Sequence, residues 1–443
     1  MLGAHKLYQV SKTLGQIKGS SLPFGGVFIL FSGDFNQLAA VGDKSLYRCI
    51  DPLETRYYEV VGNETEELGK ETEQSKLDDS SQTRLGNGKP NVGPKRSKLK
   101  DEQRDGLRLW DTISKNTIIL KHHYRAENDD ISQSLDRFRV GKPSLSDLEK
   151  LRSRVFGYGV NSPNPKDPRW QNALFVTPRN IVRQAWNHQA AIWHIASTGF
   201  QMFISPAKDE KSAIKDKDMM IWTLDSDTEM LATWNILCIE GPAIITTNIA
   251  VELGFANGTR VTIKQVVPHP GDEKAWLAID REQIIMLSQP PICVWVVPTN
   301  TENFFNPFKD HFNGDESRGN WFPILPVKSQ VDLKSSSKIL SRTKFYRTQI
   351  PLTPGFAASD HRVQGMGLRN YIIDLKKPPS GRLGLQNIYI ILSRASSWDD
   401  FAILRPFEDK IFQTQLDPYL EKYNQEMIKR DESTRLKLGD GGL

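Results

Sequence analysis

Gly33-Asp34 and Gln37 follow the apolar run Phe28-Ile-Leu-Phe31 near the start of the chain. A buried parallel strand that ends in a polar loop delivers such groups to a site at the carboxyl edge of a sheet. The same residues also read as a core strand followed by an ordinary turn, because short apolar runs are ambiguous. Further polar and cationic groups stand at Tyr124-Arg125, in Ser359-Asp-His-Arg-Val-Gln-Gly365 and at Leu392-Ser-Arg394. Taken singly, Arg125 and Arg394 read as surface or ion-paired arginines. Cys49, Cys238 and Cys293 are widely separated, with neither zinc-type spacing nor an even count, so they read as packing residues in a reducing compartment. No metal-ligand set emerges from the pattern.

The elements that must position these groups alternate between helix and strand. Met1 to Gly19 has helical periodicity, Gly19 to Gly26 reads as a loop, and Val27 to Ser32 as a strand. Thr117 to Leu120 and Ala173 to Thr177 read as further strands. Helices are expected where Ile131, Leu135 and Phe138 share a face and from Pro178 to Ala196. Gly141-Lys-Pro143 stops the first of these, and Ser146 with Glu149 has the spacing of a capping box for the next helix. Trp186 and Trp193 suit either a base-stacking platform or a core, and aromatics at helical spacing are more often core. Ala243 to Thr247 reads as a strand, with a hairpin turn at Asn257-Gly258. From Arg260 to Phe345 short Val-, Ile- and Trp-rich strands with Pro and Gly turns suggest a small β domain, with a polar loop around 303–320.

The 443 residues, 38% hydrophobic and 25% charged, suffice for two to three globular domains. A net charge of +5 is compatible with a polyanionic partner without requiring one. No run approaches the ~18 apolar residues of a membrane span, and the N-terminus lacks the features of a signal peptide, so the expectation is a soluble intracellular protein. Residues 54–105 are polar and charged and read as a disordered linker, with the basic cluster Lys95-Arg-Ser-Lys98 as a solvated charge run.

Four separated stretches resemble, in order and spacing, the superfamily-one DNA helicases of the Pif (petite integration frequency) family. They are Phe24-Gly-Gly26 with Gly33-Asp-Phe-Asn-Gln-Leu38, Tyr124-Arg125, Gln349-Ile-Pro-Leu352 with Ser359 to Gly365, and Leu392-Ser-Arg394. Gly254 to Gly258 is similar to the family's Gly-Leu-x-Asn-Gly turn. The resemblance implies an α/β, RecA-like P-loop NTPase fold. It divides the chain into a C-terminal remnant of a first RecA-like domain (1–53), the linker (54–105), a second RecA-like domain (106–260 and 347–430) carrying an inserted small β-barrel (261–346), and a flexible tail (431–443). It also implies ATP-dependent 5′-to-3′ unwinding of DNA, Mg²⁺ with the nucleotide, single-stranded DNA as partner, and a nuclear or mitochondrial home in repair, recombination or telomere maintenance.

By the same resemblance Gly33, Asp34, Gln37 and Gly365 border the nucleotide, with Gln37 as γ-phosphate sensor. Arg125 and Arg394 act as catalytic arginines, and His361, Arg362 and Gln364 contact the DNA track. Phosphoryl transfer needs positioning and charge stabilisation above all, and an arginine fork meets phosphate oxygens bidentately. The chain departs from the family in lacking the Walker A loop and the Asp-Glu pair for Mg²⁺; Gly42-Asp-Lys-Ser45 and Gly86-Asn-Gly-Lys89 mimic only parts of a P-loop. Ala39-Ala40 replaces Pro-Pro, and Asp360 puts a negative charge beside an expected phosphate contact. The chain is therefore expected to begin just past the metal-binding carboxylates and to be inactive as an ATPase by itself. The alternative is a degenerate relative serving as a non-catalytic nucleic-acid-binding or interaction protein.

Overall fold

A computed structural model describes residues 2–40, 42–51, 55, 98–171, 173–210, 231–279, 281–299, 318–333, 343–377, 383–412 and 415–439. Most of the expected linker (56–97), most of the polar loop (303–317) and the last residues (440–443) lie outside them. The chain forms two compact units: Met1–His122 with Gln415–Leu443, and His123–Thr414. Residues 106–122 and 415–430, expected in a second RecA-like domain, thus group with the N-terminal segment, as do 98–105 and 431–439.

In the first unit, α1 (Ala4–Lys18) closes on Gly19 in the left-handed region. Helix α2 (Lys98–Ile113) packs against α1 and starts inside the segment expected to be linker. The two backbones approach so closely that a Cβ on Gly106 would fall 1.9 Å from the Ala4 carbonyl oxygen. Leu7, Phe24, Leu46, Leu107 and Trp110 form a core with Leu420 and Tyr423 of the C-terminal helix Pro418–Leu438. That helix runs through most of the expected flexible tail, and its Asp431 and Thr434 are buried. Its charged composition conceals a single buried face.

Two expected strands do not form. Residues 27–34 have no regular structure; Phe28 is 90% and Leu30 84% exposed, and no backbone group of residues 28–33 has a backbone partner among the described residues. Ile29 packs against the first unit's core, and Phe31, though 36% exposed, sets its ring edge-on against Trp110. A strand is stable only with neighbours to close its ladder, and none is supplied here. Thr117 to Leu120 is likewise not a strand: its Thr117 and Ile119 N–H groups donate to Thr434 Oγ1 (3.1 Å) and Asp431 Oδ1 (2.9 Å) of the C-terminal helix.

In the second unit, α3 (Asp129–Arg139) is capped by Asn128, and α4 (Leu145–Ser153) carries its capping box at Ser144 and Asp147, not Ser146 and Glu149. Strand β1 (Leu174–Val176) leads into α5 (Asn180–Thr198). There follow β2 (Met202–Pro206), β3 (Lys208–Glu210), β4 (Trp234–Cys238), β5 (Pro242–Ile245), β6 (Arg260–Val267), α6 (Glu273–Ala278), β7 (Ile284–Met286) and β8 (Cys293–Pro298). The chain continues through β9 (Phe322–Ile324), β10 (Val327–Leu333), β11 (Thr343–Gln349), β12 (Leu352–Pro354), β13 (Ala357–Ala358), α7 (Asp360–Val363), β14 (Tyr371–Ile373), α8 (Leu385–Leu392) and β15 (Phe401–Ile403).

Strands β13, β1, β14 and β15 make a parallel sheet in that spatial order, fully buried as parallel sheets require. Trp186 of α5 stacks on Phe175 at 4.1 Å and is therefore core, whereas Trp193 is 71% exposed. The β-rich stretch pairs beyond the boundaries 261–346. Its β6, β8 and β9 join β5 and β12 in a five-stranded antiparallel sheet, and β11 pairs with β10 on one side and β3 on the other. Strand β5 thus lies outside the parallel sheet, and fourteen residues rather than a two-residue turn link it to β6.

Candidate functional site

The carboxyl ends of β13, β1 and β14 lie in register: Thr177 N donates to Ala358 O (3.1 Å) and Asp374 N to Val176 O (2.9 Å). Strand ends at such an edge present the residues that follow them. After β14, Asp374 is buried and receives Arg405 through Nε (2.9 Å) and Nη2 (2.6 Å). Asn187 of α5 pins β13 by accepting from Ala357 N (2.6 Å) and donating to Ala357 O (3.3 Å).

Strand β13 runs through Ser359 into the single turn of α7. His361 is exposed and Arg362 and Gln364 are half-buried. Gly365 has φ 87°, a left-handed conformation that favours glycine, and a side chain there would meet open space. Asp360 does not stand beside these groups as a repelling charge. It is buried and accepts a hydrogen bond from Asn387 Nδ2 of α8, while Asn387 Oδ1 accepts from Gly384 N (3.1 Å). In so short a helix the side-chain directions diverge, which turns Asp360 inward and His361 outward.

The structure brings Arg125 and Arg394 together. Arg394 is 3% exposed; its Nε donates to Ile390 O (2.9 Å), Nη1 to Met366 O (3.1 Å) and Nη2 to Ser393 Oγ (2.8 Å). Arg125 donates from Nη1 to Ser393 O (2.8 Å). Burial and then the Arg125 charge push the Arg394 guanidinium below its ordinary value, although an arginine so shifted stays charged at neutral pH. Among the described residues the pair is held by carbonyl and hydroxyl oxygens and meets no carboxylate, so its positive charge is not neutralised. The α7 turn and the arginines are one piece, because Met366 O accepts from Arg394 and Leu368 N donates to Arg394 O (3.0 Å).

Gln37, Gly33 and Asp34 belong to the first unit. Gln37 is half-buried and its N–H donates to Asp34 O (3.1 Å); the Asp34 carboxylate accepts from Asn36 N (3.0 Å), and Gly33 is exposed. The P-loop mimic at Gly42 to Ser45 is a helix anchor: Asp43 accepts from the N–H groups of His5 and Lys6 at the start of α1 and from Gln103 Nε2 (3.0 Å). Burial opposes its ionisation, but these bonds prevail and its pKa is lowered. Among the described residues no cluster of His, Cys, Asp or Glu is suited to hold a metal ion.

Sequence reasoning missed Thr177 and Arg179, which lie between β1 and α5 at the same sheet edge. Arg179 N donates to Thr177 Oγ1 (3.3 Å), and Arg179 Nε is sealed from water without a hydrogen-bond partner among the described residues. The signal was present as Thr177-Pro-Arg-Asn180, a basic residue where a strand passes into a helix.

No protein-family model matches the chain, and no curated protein matches it in sequence. Solved structures do. The chain resembles the Pif1 helicase from Candida albicans (TM-score 0.54, 14% identity, covering 96% of this chain and 75% of that one). It also resembles Bacteroides Pif1 bound to single-stranded DNA (TM-score 0.51, 12% identity, covering 98% and 74%). A third likeness is to Bacteroides Pif1 in complex with ADP-AlF3 and single-stranded DNA (TM-score 0.50, 13% identity, covering 97% and 73%). The mixed α/β architecture with its parallel sheet is therefore that of a Pif1-like helicase fold.

Proposed function

We propose that this chain is the strand-tracking part of a Pif1-like DNA helicase, binding single-stranded DNA through the α7 turn. One observation carries the reading: the link through Met366 and Leu368 that ties His361, Arg362 and Gln364 to the Arg125–Arg394 pair. Contacts from such side chains to phosphates would position a strand without reading its sequence. The arginines would respond to a phosphoryl group, and their shared backbone would connect the two events. The known Pif1 structures with DNA and ADP-AlF3 support this assignment by likeness of fold.

The residues present do not complete a nucleotide site. Gln37, Arg125 and Arg394 match the family's motifs, but the 443 residues contain no G-x-x-x-x-G-K-[ST] cradle and no Asp-Glu pair ahead of Gly33, where the family's motif order puts it. ATP and Mg²⁺ therefore do not fit this chain by itself, and the activity expected of it is DNA binding. The purified chain should bind single-stranded oligonucleotides weakly and in a salt-sensitive manner, and Arg362→Ala should weaken that binding. ATP turnover stimulated by DNA and abolished by Arg394→Ala would overturn the binding-only reading. Absence of any oligonucleotide binding would favour the alternative, a degenerate relative acting as an interaction protein.

A further inference from the structure

A helix of one turn does not hold itself, because nucleation costs more than so few bonds return. In α7 the N–H groups of Arg362 (3.0 Å) and Val363 (3.3 Å) both donate to Ser359 O. The directions of its side chains therefore depend on what grips the turn, and side chains from the two ends of α8 grip it at front and back. At the back, Met366 O accepts from Arg394 Nη1 (3.1 Å) and Leu368 N donates to Arg394 O (3.0 Å). At the front, the Asp360 carboxylate accepts from Asn387 Nδ2. Asn387 lies in the first turn of α8 and Arg394 just past its last residue, so the two grips are roughly 10 Å apart along one helix.

That helix is a firm support. Leu385, Ile388, Tyr389, Ile390 and Ile391 are buried, and Tyr371 Oη of β14 donates to Ile391 O (2.8 Å). The amide of Asn387 is fixed by opposed partners: Oδ1 accepts from Gly384 N (3.1 Å), which leaves Nδ2 for the carboxylate. Asp360 is 3% exposed, and among the described residues its carboxylate accepts from Asn387 alone. A carboxylate left buried without a donor is too costly to stay, so loss of this one bond frees the front of the turn. The carboxylate then swings toward solvent, on the side where His361 stands exposed.

We propose that Asn387 is a positioning residue for the single-stranded DNA contact. By holding Asp360 inward it aims His361 outward, and it makes the α7 turn and the arginine end of α8 move as one body. Resting on the reading of α7 as a DNA contact, this assigns the aim of the turn to a side chain outside it.

Asn387→Asp tests the role. The change is nearly isosteric, keeps an acceptor for Gly384 N and puts an acid in the first turn of α8, where helices favour one, yet it replaces the donor to Asp360 by a second carboxylate. At pH 8 the variant should bind oligo(dT) about tenfold more weakly than wild type. Exchanging the two groups, Asp360→Asn with Asn387→Asp, restores a donor and an acceptor and should return the affinity to within about twofold. The loss should also depend on His361: in a His361→Ala background it should shrink by more than about twofold, the spread expected of independent sites. A residue that only stabilised the fold would give equal losses in both backgrounds, or none well below the melting midpoint, and either result overturns the proposal. Tryptic cleavage of the Arg362–Val363 bond, followed by mass spectrometry, reads the grip without DNA. It should run about fivefold faster in Asn387→Asp and return to the wild-type rate in the exchanged pair, whereas an unchanged rate overturns the proposal. Asn387→Ala serves for affinity and cleavage where adjacent carboxylates prevent folding. Should the wild type bind no oligo(dT), the DNA reading of α7 falls, and the cleavage rate alone decides whether Asn387 holds the turn.

Discussion

Phe28-Ile-Leu-Phe31 and Leu174-Phe-Val176 are both short apolar runs leading into a polar turn, yet they end in opposite states. The second is β1, buried throughout and laddered on both sides by β13 and β14. The first has no regular structure, with Phe28 and Leu30 in solvent and no ladder partners among the described residues. Their compositions do not explain the difference; their neighbours do. A strand is a property of a sheet, and an apolar run becomes one only where other segments bring hydrogen-bonding edges to it.

The most forceful test of this contrast is Phe175→Ala set against Phe28→Ala. Phe175 is fully buried and stacked on Trp186, so its truncation should cost about 3–5 kcal/mol in urea unfolding. The same change at Phe28 should stay within about 0.5 kcal/mol. Equal costs would mean that residues 27–34 are laddered in solution and would break the contrast.

The units should differ less in their acidic anchors. Asp147 is buried under Ser134, Arg137 and Ser144; burial works against its ionisation, but these bonds hold its carboxyl well below the usual carboxylate range. Asp43 in the first unit is depressed in the same direction. A depressed folded pKa gives stability that is complete above the unfolded pKa of about 3.9 and is lost as pH falls. Asp147→Asn should cost about 2 kcal/mol at pH 7 and flatten the acid limb of the second unit's stability curve. An unchanged acid limb would show that Asp147 is not the anchor the geometry makes it.

Thiol labelling sharpens the picture at lower amplitude. Burial pushes Cys49 in the first unit and Cys238 in the second up to about 12, so at pH 8 both should react slowly until the chain unfolds. Fast labelling of Cys49 alone would reveal local opening of the first unit's core. The smallest effect is expected from Phe28→Ser with Leu30→Ser: unfolding free energy within about 0.5 kcal/mol, and a gain in solubility from removing exposed apolar surface. A clear loss of stability in that double variant would place a covering partner on this segment in the native protein.

Parts of the site were legible in the sequence because their local rules are strong. Ser359 to Gly365 falls at the end of a short strand, with glycine where the backbone needs a left-handed turn, and Arg125 and Arg394 stand in matching order along the chain. The direction of Asp360 was not legible, because a one-turn helix lets adjacent residues face core and solvent, and only Asn387 of α8 decides which does so. The C-terminal helix was hidden by its charged composition, since Leu420 and Tyr423 gain meaning only against Leu7 and Trp110.

By itself the sequence determined the alternation of helices and strands, the turn at Gly365, and the absence of a phosphate cradle from these residues. Each rests on interactions within a few residues or on the bare presence of a motif. Tertiary structure decided which apolar run became a strand, which charge was neutralised and which stayed bare, and that Met366 joins the α7 turn to Arg394. Those outcomes depend on ladder edges, carbonyls and carboxylates supplied by segments far away in the chain, which no local pattern encodes.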